Sequence, residues 1–199
     1  ENVVDSLIRH EQAAEHTVTL VTRWRQWRAA HQAGLPYAAL PLPPNARASS
    51  QAYRSVGPRW PVAAMVGWYQ RRHRFDIWQI HWLYPTAWMA HDALERAGVP
   101  IVVTAHGADL HVEHQTGYGF RQFGGPDQRV RAIAPRVPAL IAISNSIEAQ
   151  YRELGIPDET IHRIPNGVDA RRLATAGADR ETVRAKLRGQ LGLPAGAQL

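Results

Sequence analysis

Apolar and polar positions along the 199-residue chain alternate between two periods, and their order predicts an α/β protein. Val3, Val4, Leu7 and Ile8 recur at helical spacing, so a helix is expected over residues 2–15. Thr17 to Thr22 alternates and is β-branched, as a strand requires. Arg23 to His31 is basic and carries two tryptophans. Tyr37 to Leu42 predicts a short strand running into a proline-rich loop, residues 41–44. A helix is expected from Pro58 to Arg74, with Pro61 in its first turn, where a missing N–H costs nothing. Asp76–Trp82 predicts a strand, Pro85–Ala97 a helix closed by Gly98, and Pro100–Ala105 a buried strand. A Gly- and His-rich loop spans 106–125, followed by a short helix over 127–136. Residues 139–169 contain two apolar runs, each ending in a polar tip (Ser144-Asn145-Ser146 and Pro165 to Asp169), with a helical stretch between them. That is a βαβ unit, and ligands of open parallel sheets sit where such tips fall. A last helix is expected over 180–191, and Gln198-Leu199 opens a further strand.

Composition narrows the chemistry. Hydrophobic content of 45% suits a globular core. The absence of cysteine removes disulfides, thiol nucleophiles and thiolate metal sites, and fits a reducing compartment. No run of 18 apolar residues occurs. The net charge is +6, and among 23 basic residues only Lys186 is lysine. Codon bias in a GC-rich genome explains such arginine usage; a surface that meets phosphate or anionic lipid is the functional alternative. The segment Arg23-Trp24-Arg25-Gln26-Trp27-Arg28 and the stretch Trp60 to Arg74 have the basic, aromatic character of helices in membrane interfaces, or of solvated faces with core tryptophans.

The sharpest motifs lie at strand ends. Phe75 to Pro85 (FDIWQIHWLYP) delivers His81 and Trp82; the next strand delivers Thr104-Ala105-His106-Gly107-Ala108-Asp109. With Ser144-Asn145-Ser146 and Pro165-Asn166-Gly167-Val168-Asp169 downstream, the chain resembles the N-terminal domain of family-4 retaining glycosyltransferases. One histidine of that family's pattern is replaced here by Gln79.

The resemblance implies a Rossmann-like, doubly wound parallel sheet, one half of a two-domain GT-B architecture. Residues 1–175 would form the acceptor-side domain, and 176–199 a linker and the start of the nucleotide-sugar domain. The family's central first strand and its second domain are expected to lie outside this chain, which is then expected to fold poorly alone. By the same resemblance His106 contacts the donor sugar near the reacting carbon, and Gly107 permits close backbone approach. Asp109 caps the next segment or orients His106. His81 lines the acceptor cleft or packs beneath the sheet. Ser144 and Asn145 meet substrate or cap a helix, the cap being favoured for Ser146. Asn166 fixes the cleft edge, with Gly167 expected at positive φ. The implied partners are a nucleotide-sugar donor, a glycan or lipid-linked acceptor and a peripheral contact with anionic membrane. No cofactor, metal or specific nucleic acid is implied, and the location is cytoplasmic, at the inner face of the membrane.

Two other readings are carried. His106, Asp109, His111 and His114 crowd together in sequence as zinc ligands of a hydrolase would, though at irregular spacing. A non-catalytic basic binding module is the other, without an RNP pattern, helix-turn-helix or lysine-rich tail to support it. There is no Walker-type loop and no G-x-G-x-x-G; Gly117, Gly119, Gly124 and Gly125 lack the strand-to-helix context of a phosphate cradle.

Overall fold

A computed structural model describes residues 3–42, 59–167, 180–194 and 196–197. Helix α1 (Val3–Ala13) leads into strand β1 (Thr19–Arg23), helix α2 (Trp24–Gln32) and strand β2 (Ala38–Leu42). Helix α3 (Trp60–His73) carries Pro61 in its first turn, as expected, and ends where Arg74 turns left-handed at φ 52°. Strand β3 (Trp78–His81) follows, then a wide turn over Leu83–Ala87 with a cis Tyr84–Pro85 bond, then helix α4 (Trp88–Arg96). Strand β4 (Ile101–Thr104), helix α5 (Gly124–Ile133), strand β5 (Ala139–Ala142), helix α6 (Asn145–Glu153) and strand β6 (Ile161–Arg163) complete a first compact unit, Glu1–Pro165. Asn166–Leu199 forms a second unit around helix α7 (Arg180–Gln190).

Every ladder is parallel, in keeping with strand–helix–strand connections. The strands form two sheets rather than one: β1 pairs with β2, and β3-β4-β5-β6 lie side by side. Among the described residues no strand bridges the two sheets, so the backbone ladder is interrupted between them. The strand expected over Tyr37–Leu42 is β2, and where it overlaps the expected loop Pro41 and Leu42 belong to the strand, with Pro41 opposite Thr22. Proline is tolerated there because β2 is an edge strand, whose outer N–H has no partner to lose.

The core belongs to the four-stranded sheet. Ile80, Ile101, Val103, Leu140 and Ala142 pack against Val62 and Val66 of α3, Leu94 of α4, Val130 and Ile133 of α5, and Ile147 and Tyr151 of α6. Strand β3 has its alternating pattern for this reason: Trp78 and Ile80 face the core, while Gln79 is exposed and His81 half-buried. The two-stranded sheet has no buried residue, and its Val21, Leu40 and Leu42 only flank the core. Two side chains fasten it: Trp27 donates from Nε1 to the Ala39 carbonyl at 3.0 Å, and Tyr69 from its hydroxyl to the Pro41 carbonyl at 2.6 Å.

Candidate functional site

The register of β3 on β4 builds the site. His81 pairs with Thr104, so the last residue of β3 lies beside the chain that turns out of β4 two residues before His106. His81 Nδ1 and His106 Nε2 are 2.8 Å apart. One of these nitrogens must carry the proton and the other accept it, so the two tautomers are locked to each other. Trp82 continues the strand only by adopting φ 79°, outside the ordinary range for a bulky residue. Its N–H donates to the Thr104 carbonyl at 2.9 Å, and its ring lies 5.6 Å from the His106 ring and 6.0 Å from that of Phe120. Backbone strain of this kind collects at functional sites, where surrounding bonds over-determine it.

Asp109 supplies those bonds. It is fully buried, and its two carboxylate oxygens accept from the Leu83 N–H at 2.7 Å and the His106 N–H at 2.9 Å. One side chain thereby ties the segment after β3 to the segment after β4. Burial raises the Asp109 carboxyl to about 6, against the pull of its backbone donors. His81 is pushed down to about 4, by burial first and by His106 second, and burial also lowers His106. The pair is therefore neutral at physiological pH: an imidazole that offers or accepts a proton, not a fixed cation.

The loop after His106 is folded tightly over it. Gly107 has φ 104°, and its carbonyl accepts from the N–H groups of Leu110 and His111 at 2.9 and 2.7 Å. A Cβ on Gly107 would stand 3.0 Å from the Tyr118 hydroxyl. Gly119, at φ 98°, is more constrained still, since a Cβ there would collide with the His111 carbonyl. Arg121, almost buried, donates to the Leu110 carbonyl at 2.9 Å, to Asp127 at 2.8 Å and to Gln150 at 3.3 Å, pinning this loop to α5 and α6. Arg121, Phe120 and Tyr118 lie in a segment with no periodicity, so no local sequence signal marks them.

At the tip of β5, Ser144 is the N-cap of α6, its Oγ accepting from the Ile147 N–H at 3.3 Å. The cap expected at Ser146 is thus corrected. Ser144 has the extended backbone that an N-cap requires, while Ser146 lies inside the helix with its hydroxyl 3.3 Å from His111 Nε2. Asn145 opens the helix with an exposed side chain. Asn166 and Gly167 are exposed and begin the second unit; Gly167 is not at positive φ, so the turn expected there is not of that type. Val168, Asp169, the expected boundary around 174–178 and Gln198-Leu199 lie outside the described residues.

The four residues of the hydrolase reading do not assemble as ligands. Asp109 spends both oxygens on backbone N–H groups, His106 Nε2 faces His81, and His111 Nε2 faces Ser146. Among the described residues the group placed to share a cation is a different one, His91, Asp92 and Glu95.

The Glycosyltransferase Family 4 profile matches residues 1–172. The chain belongs to glycosyltransferase family 4. No curated protein matches it. Among solved structures, Anabaena Alr3699/HepE in complex with UDP and glucose is 19% identical, with a TM-score of 0.54 over 83% of this chain and 39% of that one. UDP-N-acetylglucosamine 2-epimerase from Rickettsia bellii is 10% identical, with a TM-score of 0.53 over 90% of this chain and 44% of that one. This family-4 chain therefore spans under half the length of either. At these identities the likeness concerns the fold: a Rossmann-like half of a GT-B architecture, with His106, His81 and the cap of α6 at the carboxyl ends of its strands. No helix among the described residues is long and apolar enough to cross a membrane.

Proposed function

We propose that this domain is the acceptor-side half of a retaining glycosyltransferase that moves a sugar from a nucleotide donor to a glycan or lipid-linked acceptor, with His106 at the reacting centre. One observation carries the reading beyond the family match. His106 stands just past the end of β4 with its backbone N–H held by Asp109 and its Nε2 against His81, which sets the ring's direction and couples its tautomer to that of His81 before substrate arrives. In an oxocarbenium-like transition state, catalysis rests on such pre-set donors. When His81 donates from Nδ1, His106 keeps its proton on Nδ1 and presents it as a donor to the sugar. His81 is then a positioning residue, not an acceptor contact.

Gly107 lets the loop fold closely beside His106, and Asn145 offers an exposed amide at the next strand end. Ser144 works through the cap, and Asn166 belongs to the cleft edge. The donor's diphosphate falls to the facing domain of the GT-B pair; the UDP held in the HepE structure supports a nucleoside diphosphate leaving group. The donor is a substrate, so the reaction needs no cofactor. A lipid-linked acceptor at the inner face of the membrane fits α3, where Trp60 and Trp68 are 69% and 52% exposed above Arg71 and Arg72.

The test is transfer by the intact two-domain enzyme across a panel of nucleotide sugars. Transfer from one of them supports the reading; a folded enzyme that transfers from none of them overturns it.

A further inference from the structure

A second polar cluster, one histidine with two carboxylates, lies on α4. His91, Asp92 and Glu95 occupy positions i, i+1 and i+4, which puts His91 and Glu95 on one face of the helix. His91 is 1% exposed, and its Nε2 lies 3.1 Å from the Arg136 carbonyl oxygen. A carbonyl only accepts, so the ring proton is on Nε2. In the neutral ring Nδ1 is then a buried lone pair without a hydrogen-bond partner. It faces Asp92 Oδ1 at 3.9 Å and Glu95 Oε2 at 4.0 Å. Three acceptors thus converge, all within 4.8 Å of one another.

Two cations border the cluster. Arg59 reaches Asp92 Oδ2 at 2.6 Å. Arg136 pairs with the Glu95 carboxylate and comes within 2.9 Å of Asp92 Oδ1, too skewed to hydrogen-bond it. Both arginines serve oxygens and neither serves Nδ1.

We propose that His91, Asp92 and Glu95 form a binding site for a divalent cation of the zinc class, with the Arg136 guanidinium occupying the carboxylates in the cation's place. An imidazole nitrogen with two carboxylate oxygens is a donor set that zinc and its neighbours accept, water completing the shell. The bond from His91 Nε2 to a backbone carbonyl is the outer contact that metal-bound imidazoles usually carry, and it fixes the tautomer that exposes Nδ1. Arg136 is 42% exposed, so it can release the carboxylates to a stronger cation and turn to water. All three ligands lie on α4, so the cation would sit on that helix beside the turn after α5, and it takes no part in sugar transfer.

The test titrates Zn²⁺, and Mn²⁺ in parallel, into chelator-stripped full chain at pH 7, by calorimetry and thermal unfolding. One equivalent of Zn²⁺ is expected to bind and raise the Tm. Glu95→Gln, a half-exposed and structurally mild change, should weaken binding at least tenfold, and His91→Gln should do the same. Arg136→Gln should tighten binding several-fold by removing the competitor, a sign that general damage to the fold cannot produce. Absence of Zn²⁺ binding overturns the proposal. So does binding that is unchanged in both Glu95→Gln and Arg136→Gln, which would assign the ion to other histidines of the surface.

Discussion

Each of two polar clusters sets imidazole against carboxylate, and they stand in opposite states of satisfaction. At the strand ends each acceptor meets a donor: Asp109 takes two backbone N–H groups, and His81 and His106 take each other. On α4, His91 Nδ1 meets only carboxylates. A satisfied buried network rigidifies what it holds; an unsatisfied one keeps a polar group in the interior at a cost. The first cluster is a self-satisfied frame at the strand ends, and the second is the proposed cation site.

The largest break in this comparison comes from emptying the first frame. Asp109→Leu leaves the Leu83 and His106 N–H groups buried without acceptors, and should cost about 3–5 kcal/mol in denaturant unfolding, at ~1–3 kcal/mol per orphaned group plus lost packing. Asp109→Asn keeps an acceptor oxygen and should cost roughly half as much.

Acidification sharpens the contrast within the frame. The folded His81 lies at about 4, below its unfolded 6.5, so the unfolded chain takes the proton first and stability falls as pH drops from 6.5 to 4. A shift of that size corresponds to about 3 kcal/mol. The folded Asp109 lies at about 6, above its unfolded 3.8, so the native state holds that proton and stability rises over nearly the same window. The two slopes oppose each other in the wild type. His81→Gln should leave a rise on acidification relative to wild type, and Asp109→Asn a fall, as read from urea midpoints between pH 6.5 and 4. Parallel curves in all three proteins would mean that the two groups are not linked to folding.

Gly119→Ala tests how tightly the covering loop is held. Its Cβ would meet the His111 carbonyl at a positive φ, so a loss of about 2 kcal/mol or more is expected in thermal unfolding. The smallest effect belongs to the second cluster. Arg136→Gln removes ion pairs that are half in water, and without added metal it should shift stability by no more than about 1 kcal/mol.

Much of the fold was legible because its signals are local. Ile141 and Ile161 sit in short apolar runs that end in polar tips, and the βαβ unit follows from that pattern. Pro61 and Gly98 mark a helix start and a helix end by their own backbone limits. The errors fall where a neighbour in space decides. Pro41 and Leu42, where the expected strand and the expected loop overlap, go to the strand because β2 is an edge, a fact of topology. Ser144 and Ser146 are chemically alike, and only the backbone angle at Ser144 selects the cap. His106 was legible as a strand-end histidine beside a glycine. Its bond to His81 was not, because it depends on the register that sets His81 against Thr104. The positive φ of Trp82 and the lone pair of His91 leave no trace in a linear pattern at all.

If His106, held by His81 and Asp109, stands at the reacting centre of a sugar transfer as proposed, its removal must slow the chemical step. The direct measurement is kcat and KM for transfer by the intact enzyme, wild type against His106→Ala and His81→Gln, with circular dichroism to confirm folding. A kcat loss of ~100-fold or more is expected for His106→Ala, about 2.7 kcal/mol of barrier, and a smaller kcat loss with little change in donor KM for His81→Gln. An unchanged rate in a folded His106→Ala enzyme would contradict it and return the histidine pair to a purely structural role.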